Sequence, residues 1–263
     1  MDKGWSGFFS LSEQNPDQPP GKNRDRLRGV TEVVRSRRVG RVAVVELHRP
    51  QVRHAMDTNL LDQLIAALRR AGRAGETDAV VVTGSGGCFS SGADVSEDID
   101  RAAAQARMGK FGALYELVAT YPLPTVAAIS GWCIGGGAEL ASACDLRVGT
   151  PSASIRFPGA AYGVPAGAAR LPLLVGLSHA KDLLMTARTV GAEEAYRMGF
   201  LNRLVAEDQL LGEAAGLAAL MASNPGAITQ KRALDEVNGV SERLHAENRA
   251  LRRWQSEARG LMG

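Results

Sequence analysis

The sequence predicts an α/β fold, and three features carry that prediction. Short runs such as Ala79–Thr83 and Thr125–Ile129 are wholly apolar or β-branched, as strands buried on both faces of a parallel sheet require. Segments with apolar residues at helical spacing alternate with them, the pattern of strand–helix units. Beyond about residue 206 only helical pattern remains, so a helical appendage should follow the strand-bearing core.

In chain order, residues 1–30 are rich in Pro, Gly, Asn, Gln and Arg without periodicity and read as a flexible N-terminal extension. Eight basic residues between Lys22 and Arg41, against Asp25 and Glu32, read as a solvated face. Two strands are expected at 31–36 and 41–47, joined at Val39-Gly40. Asp57 should cap a helix carrying Leu60, Leu61, Leu64, Ile65 and Leu68, ended by Gly72. After the strand 79–83 comes a glycine- and serine-rich loop, Gly84 to Asp94. A helix is expected over 101–120, stopped by Tyr121-Pro122-Leu123-Pro124 ahead of the strand 125–129. Short strands at 146–148 and 154–157 and helices at 178–187 and 192–198 complete the core.

Composition excludes several classes. The net charge is only +3, from 31 basic and 28 acidic residues, and aromatics are 5%. That balance gives no nucleic-acid footprint. No apolar run has the length of a transmembrane helix, and the N-terminus lacks a signal-peptide core. Cys88, Cys133 and Cys144 form neither a disulfide framework nor a metal-ligand pattern, so no metal and a cytoplasmic location are expected. The four histidines (His48, His54, His179, His245) read as ordinary turn or surface residues. Gly84-Ser85-Gly86-Gly87-Cys88-Phe89 lacks the third glycine of a dinucleotide fingerprint. Neither a phosphate-binding loop nor a G-x-S-x-G serine motif occurs.

Chemistry points instead to Pro124 through Asp145. A strand breaks there at Gly135-Gly136-Gly137 and restarts as a helix. The first N–H groups of a helix have no intrahelical acceptor and sit at the positive end of its dipole, which suits developing negative charge. Glu139 falls in that first turn. A glycine run of this kind also serves simple tight packing. The loop ending at Ala93 and Asp94 adds a second set of backbone donors at a strand's carboxyl end, where open α/β folds bind ligands. Donors at Ala93 and Gly136 would then meet on one oxygen if adjacent parallel strands carry them.

Across about residues 31 to 234 the chain resembles the crotonase (enoyl-CoA hydratase/isomerase) superfamily. An N-R-P-x-x-x-N-A-L-like opening stands as His48-Arg49-Pro50-Gln51-Val52-Arg53-His54-Ala55-Met56. An F-x-x-G-A-D loop stands as Phe89 to Asp94, and G-x-x-x-G-G-G-x-E-L-A-x-x-C-D is intact from Gly131 to Asp145. A later segment matches from Leu173-Leu174-Val175-Gly176 to Val205. The resemblance implies a crotonase-like spiral of ββα units over 31–205 and a C-terminal helical trimerisation region over 206–263, giving a homotrimer or hexamer. It implies an acyl-CoA thioester as ligand, with coenzyme A arriving as part of the substrate and no permanently bound cofactor. Ala93 and Gly136 match the oxyanion-hole positions, and Glu139 matches one of two hydratase glutamates. Ser91, Gly92, Asp94 and Val95 match the stretch that lies along the coenzyme. Three departures stand out. Gly159 occupies the place of the second glutamate, and the following Pro165–Leu171 segment is shortened. The E-G-x-x-A-F-type tail that helps close the CoA site in relatives has no counterpart up to Gly263. The resemblance therefore implies an enzyme of the enoyl-CoA hydratase/isomerase type with a single acid/base glutamate, and leaves open a non-catalytic acyl-CoA binder or a single-carboxylate isomerase, thioester hydrolase or decarboxylase of the same fold.

Overall fold

The computed structural model describes residues 31–73, 75 and 77–257; the expected N-terminal extension lies outside them. Contacts divide the chain at Val33, and everything below concerns the unit that begins there.

The main sheet has six strands, with spatial order β1 (Val34–Val39), β2 (Val42–Leu47), β3 (Ala79–Gly84), β4 (Thr125–Ile129), β6 (Leu146–Gly149) and β9 (Arg203–Leu204). Only β1 and β2 pair antiparallel; the remaining neighbours are parallel. A second sheet holds β5 (Trp132–Ile134), β7 (Ser154–Arg156) and β8 (Thr189–Gly191). Single bridges Met56↔Ala93 and Ser90↔Cys133 carry the pattern of that sheet back into the two preceding turns. Each turn of the chain thus gives a long strand to one sheet and a shorter extended segment to the other, then a helix. That is the ββα spiral.

Alternation along the long strands buries both faces. Ala43, Val45, Leu47, Val80, Val82, Ala127 and Ile129 face the interior of the spiral with α1 (Thr58–Arg73) and α2 (Arg101–Ala119). Val42, Val44, Val81, Val126, Ala128 and Val148 face α6 (Leu210–Ala222) through Leu210, Ala214, Leu217 and Ala218. With both faces covered, strand sequences become continuously apolar, which is why they stood out. The remaining helices are α3 (Gly136–Ala143), α4 (Leu171–Thr186), α5 (Ala192–Arg197), α7 (Ala227–Val237) and α8 (Val240–Glu257).

Several expected boundaries move. The first strand begins at Val34, because its register against Val42–Leu47 is set by the tight turn at Gly40-Arg41, where Gly40 has φ +58°. Asp57 caps α1 as expected, accepting from Leu60 N–H at 2.7 Å. The helix nevertheless runs past Gly72, where a Cβ would lie 3.0 Å from the Tyr121 hydroxyl. The helix expected at 178–187 starts earlier, at Leu171, and is broken at Gly176 (φ +78°, ψ 158°). The short strands β5, β8 and β9 were not legible, since two or three residues carry no period.

Candidate active site

Two strand-end segments are held side by side by backbone hydrogen bonds. Phe89 N–H donates to Ser130 O, Ser90 N–H to Trp132 O and Ile134 N–H to Ser90 O, at 2.7–2.9 Å. On the opposite side, Met56 N–H donates to Gly92 O at 2.7 Å and Asp94 N–H to Met56 O at 3.1 Å. In such a parallel bridge the residue between, Ala93, turns its own N–H and C=O away from Met56. Gly92 (φ +91°) packs against the next turn: a Cβ there would lie 2.7 Å from Ile134 O and 3.1 Å from Gly136 N. Glycine is required by both conformation and contact. The structure therefore brings the residue before Ala93 against the amide of Gly136, at the N-terminus of α3.

Helix α3 is seated equally closely. A Cβ on Gly137 would meet Ser90 Cβ and O at 2.8 Å, so the first turn of α3 lies directly on the Phe89–Asp94 segment. Its C-terminus is gripped by Arg147, which donates to Cys144 O (2.9 Å) and Ala141 O (3.4 Å), and through Nε to Phe200 O (2.6 Å). Asp145 ties the start of β4, accepting from Thr125 N–H at 2.7 Å, and pairs with Lys231 of α7 at 2.9 Å.

Ala93 is exposed and Gly136 half-buried, whereas Glu139 is 3% exposed. Glu139 lies in the first turn of α3 and accepts from Arg170 Nη2 at 2.5 Å. The same Nη2 lies 3.3 Å from Glu247 Oε1, and Glu247 Oε2 accepts from Ala169 N–H at 2.7 Å. The Arg170 guanidinium also lies over the Tyr115 ring at 5.0 Å, and Tyr115 OH donates to Gly136 O at 3.3 Å. Burial pushes the Glu139 carboxyl up, to about 7, and the Glu247 carboxylate adds to that; the Arg170 cation opposes both. A carboxyl with that proton affinity changes its charge near neutral pH.

Of the residues matched to the coenzyme stretch, Val95 is 92% exposed and Ser91 is half-buried, its hydroxyl donating to Val52 O at 3.4 Å. Gly92 serves the packing just described. Asp94 turns its carboxylate inward, accepting from Arg49 Nη1 (3.0 Å), Ser96 N–H (3.0 Å) and Ser96 OH (2.6 Å). Burial raises its proton affinity, and these donors together hold it below the usual carboxylate range. Its visible task is to fix the loop.

Two expectations need correction or extension. His54 is not an ordinary turn or surface residue: it is fully buried, with Nδ1 accepting from Arg49 N–H (2.9 Å) and Nε2 donating to Ser85 O (2.7 Å). Burial lowers its proton affinity, so it is a neutral pin holding the first loop to the second. Arg170, Glu247 and Tyr115 were not singled out from sequence. Arg170 and Glu247 lie 31 and 108 residues from Glu139, with no spacing to connect them. The only available signal was an arginine directly after the Pro165–Ala169 loop.

Comparison with known proteins places the chain by family and fold. Residues 37–257 match the sequence model of the enoyl-CoA hydratase/isomerase family. A probable enoyl-CoA hydratase of Mycobacterium tuberculosis is 34% identical over 205 residues, covering 77% of this chain and 79% of that protein. A short-chain-enoyl-CoA hydratase of Clostridium acetobutylicum is 33% identical, covering 70% and 73%. Among solved structures, an enoyl-CoA hydratase/isomerase from Xanthobacter autotrophicus superposes with TM-score 0.78 at 30% identity, covering 86% of this chain and 87% of that one. With its motifs, its spiral and these relatives in agreement, the chain belongs to the enoyl-CoA hydratase/isomerase family.

Proposed function

We propose that this protein acts on an acyl-CoA thioester, polarising its carbonyl oxygen with the Ala93 and Gly136 N–H groups and moving a proton with Glu139 alone. The observation that carries the reading is the packing of Gly92 against the Gly136 amide, with Glu139 buried one helical turn beyond. Two backbone donors aimed at an enolate oxygen are worth about 3–4 kcal/mol each in the transition state. In the resemblance the second hydratase carboxylate belongs at Gly159. That position is closed to any side chain: a Cβ there would lie 2.5 Å from Val164 O, and Val164 N–H donates to Gly159 O at 2.8 Å.

Addition of water needs one group to activate the water and another to deliver a proton. Migration of a double bond needs only one. The ionised carboxyl takes a proton from C2 of a 3-enoyl thioester, the electron pair passes to the oxygen held by the two amides, and the same proton returns at C4. We therefore assign double-bond isomerisation ahead of hydration. Purified protein is expected to isomerise 3-hexenoyl-CoA while hydrating crotonyl-CoA slowly, both measured spectrophotometrically. Fast hydration of crotonyl-CoA that is indifferent to Glu139→Gln would overturn the single-carboxylate assignment.

Gly159→Glu tests the closed position. Because the new side chain collides with the Val164 carbonyl, it is expected to destabilise the protein by about 1–3 kcal/mol and to confer no hydration. A stable variant that gained hydratase activity would contradict the geometry. A second reading, acyl-CoA binding without turnover, is favoured by the Arg170 clamp on Glu139. It predicts calorimetric binding of acyl-CoA with neither substrate converted.

A further inference from the structure

Helix α8 delivers one buried carboxylate to the site from the far end of the chain. Glu247 is 7% exposed, and Leu244, one turn earlier, is buried beside it. The helix runs along α2, with Asn248 Oδ1 close to Gly112. Glu247 is not simply satisfying a stray cation. Its Oε1 and Glu139 Oε2 converge on the same nitrogen of Arg170, at 3.3 and 2.5 Å. Neither carboxylate holds a bidentate pair, although a guanidinium has donors for one. Sharing one nitrogen makes the two contacts competitive: charge on Glu247 withdraws part of the cation's field from Glu139 and adds its own repulsion. All three side chains are buried, and with little solvent screening both effects are strong.

We propose that Arg170 and Glu247 are positioning residues for Glu139: the two carboxylates compete for one guanidinium nitrogen, so the charge on Glu247 decides how firmly Arg170 holds the ionised form of Glu139. The inference rests on the reading of Glu139 as the proton-moving group only for its catalytic meaning; the electrostatic linkage stands apart from turnover. The groups facing Glu139 are few. Arg170 comes from the loop preceding α4, Glu247 from α8, Tyr115 from α2 and the Cys133 thiol from β5. Tyr115 and Cys133 are both buried, and burial holds both in their neutral forms. Among the described residues, Arg170 and Glu247 are thus the charges that act on Glu139. Room for the Glu139 carboxylate comes from Gly167, where a Cβ would lie 2.8 Å from Glu139 Oε1.

The test is an infrared titration of the full-length protein labelled with ¹³C at the glutamate side-chain carboxyl. The Glu139 band is identified by its loss in Glu139→Gln. Glu247→Gln keeps an oxygen to accept from Ala169 N–H but removes the charge, and the Glu139 midpoint is expected to fall. Arg170→Gln should move it the other way, and Arg170→Lys should restore most of the parent value. If Glu247→Gln does not fold, Glu247→Asp, which keeps the charge but withdraws it by one methylene, is expected to lower the midpoint by less. An unmoved midpoint in a folded Glu247 variant overturns the proposal, since a merely structural role leaves it unchanged. Where the protein turns over 3-hexenoyl-CoA, the pH–rate midpoint should follow the infrared one. An infrared shift without turnover would support the linkage and count against the catalytic reading.

Discussion

Glu139→Gln is expected to lower kcat for 3-hexenoyl-CoA by about 10²–10⁴-fold, the usual contribution of a positioned acid/base group. The fold should persist. The amide oxygen can still accept from Arg170, and Arg170 keeps Glu247 as a charged partner at 3.3 Å. Binding of acyl-CoA should change little, because the proposed oxygen-binding donors at Ala93 and Gly136 belong to the backbone. Proton abstraction requires the ionised carboxyl, and burial has moved ionisation up to about 7. The parent rate should therefore rise with pH until about 7 and level off above it, whereas residual activity in the variant should lose that dependence. Steady-state kinetics from pH 5.5 to 9 checks both. A variant with full activity, or a parent profile flat through neutrality, would remove Glu139 from the mechanism.

Arg147→Met is expected to have the largest effect on stability, because one side chain fastens several elements. Arg147 is 2% exposed and donates to the carbonyls of Phe200, Cys144 and Ala141 and to the Asn202 amide oxygen. Burial lowers its proton affinity, to about 10, so it stays charged at pH 7. Replacing a buried cation by an apolar residue can be neutral when its partners leave too. Here the carbonyls stay behind, each stranded acceptor costing about 1–3 kcal/mol, so a net loss of about 3–5 kcal/mol is expected. At this chain length that lowers Tm by about 10 °C, measurable by calorimetry. Because Ala141 and Cys144 lie at the C-terminal end of α3, kcat should fall as well. A variant as stable as the parent would mean that Met fills the site and water satisfies the carbonyls.

The two variants mark what each level of description decides. Periodicity is local, so the buried strands, the capped helix after Asp57 and the helix restart at Gly136 were legible residue by residue. Glycine clusters were legible too, since Gly92, Gly136 and Gly137 stand where a Cβ would come within 3 Å of a neighbour. Motif order then identified the spiral and the two strand-end loops that it brings together. What lay beyond reach depends on contacts between residues distant in sequence. His54 read as an ordinary histidine because nothing nearby reveals that Arg49 N–H and Ser85 O close on its ring. Glu139 was legible as a carboxylate in a first turn, but its proton affinity depends on burial and on Arg170 and Glu247. By itself the sequence determined which groups stand at the strand ends. The tertiary structure decided their chemistry, because burial and the field of distant charges arise only when the chain is folded.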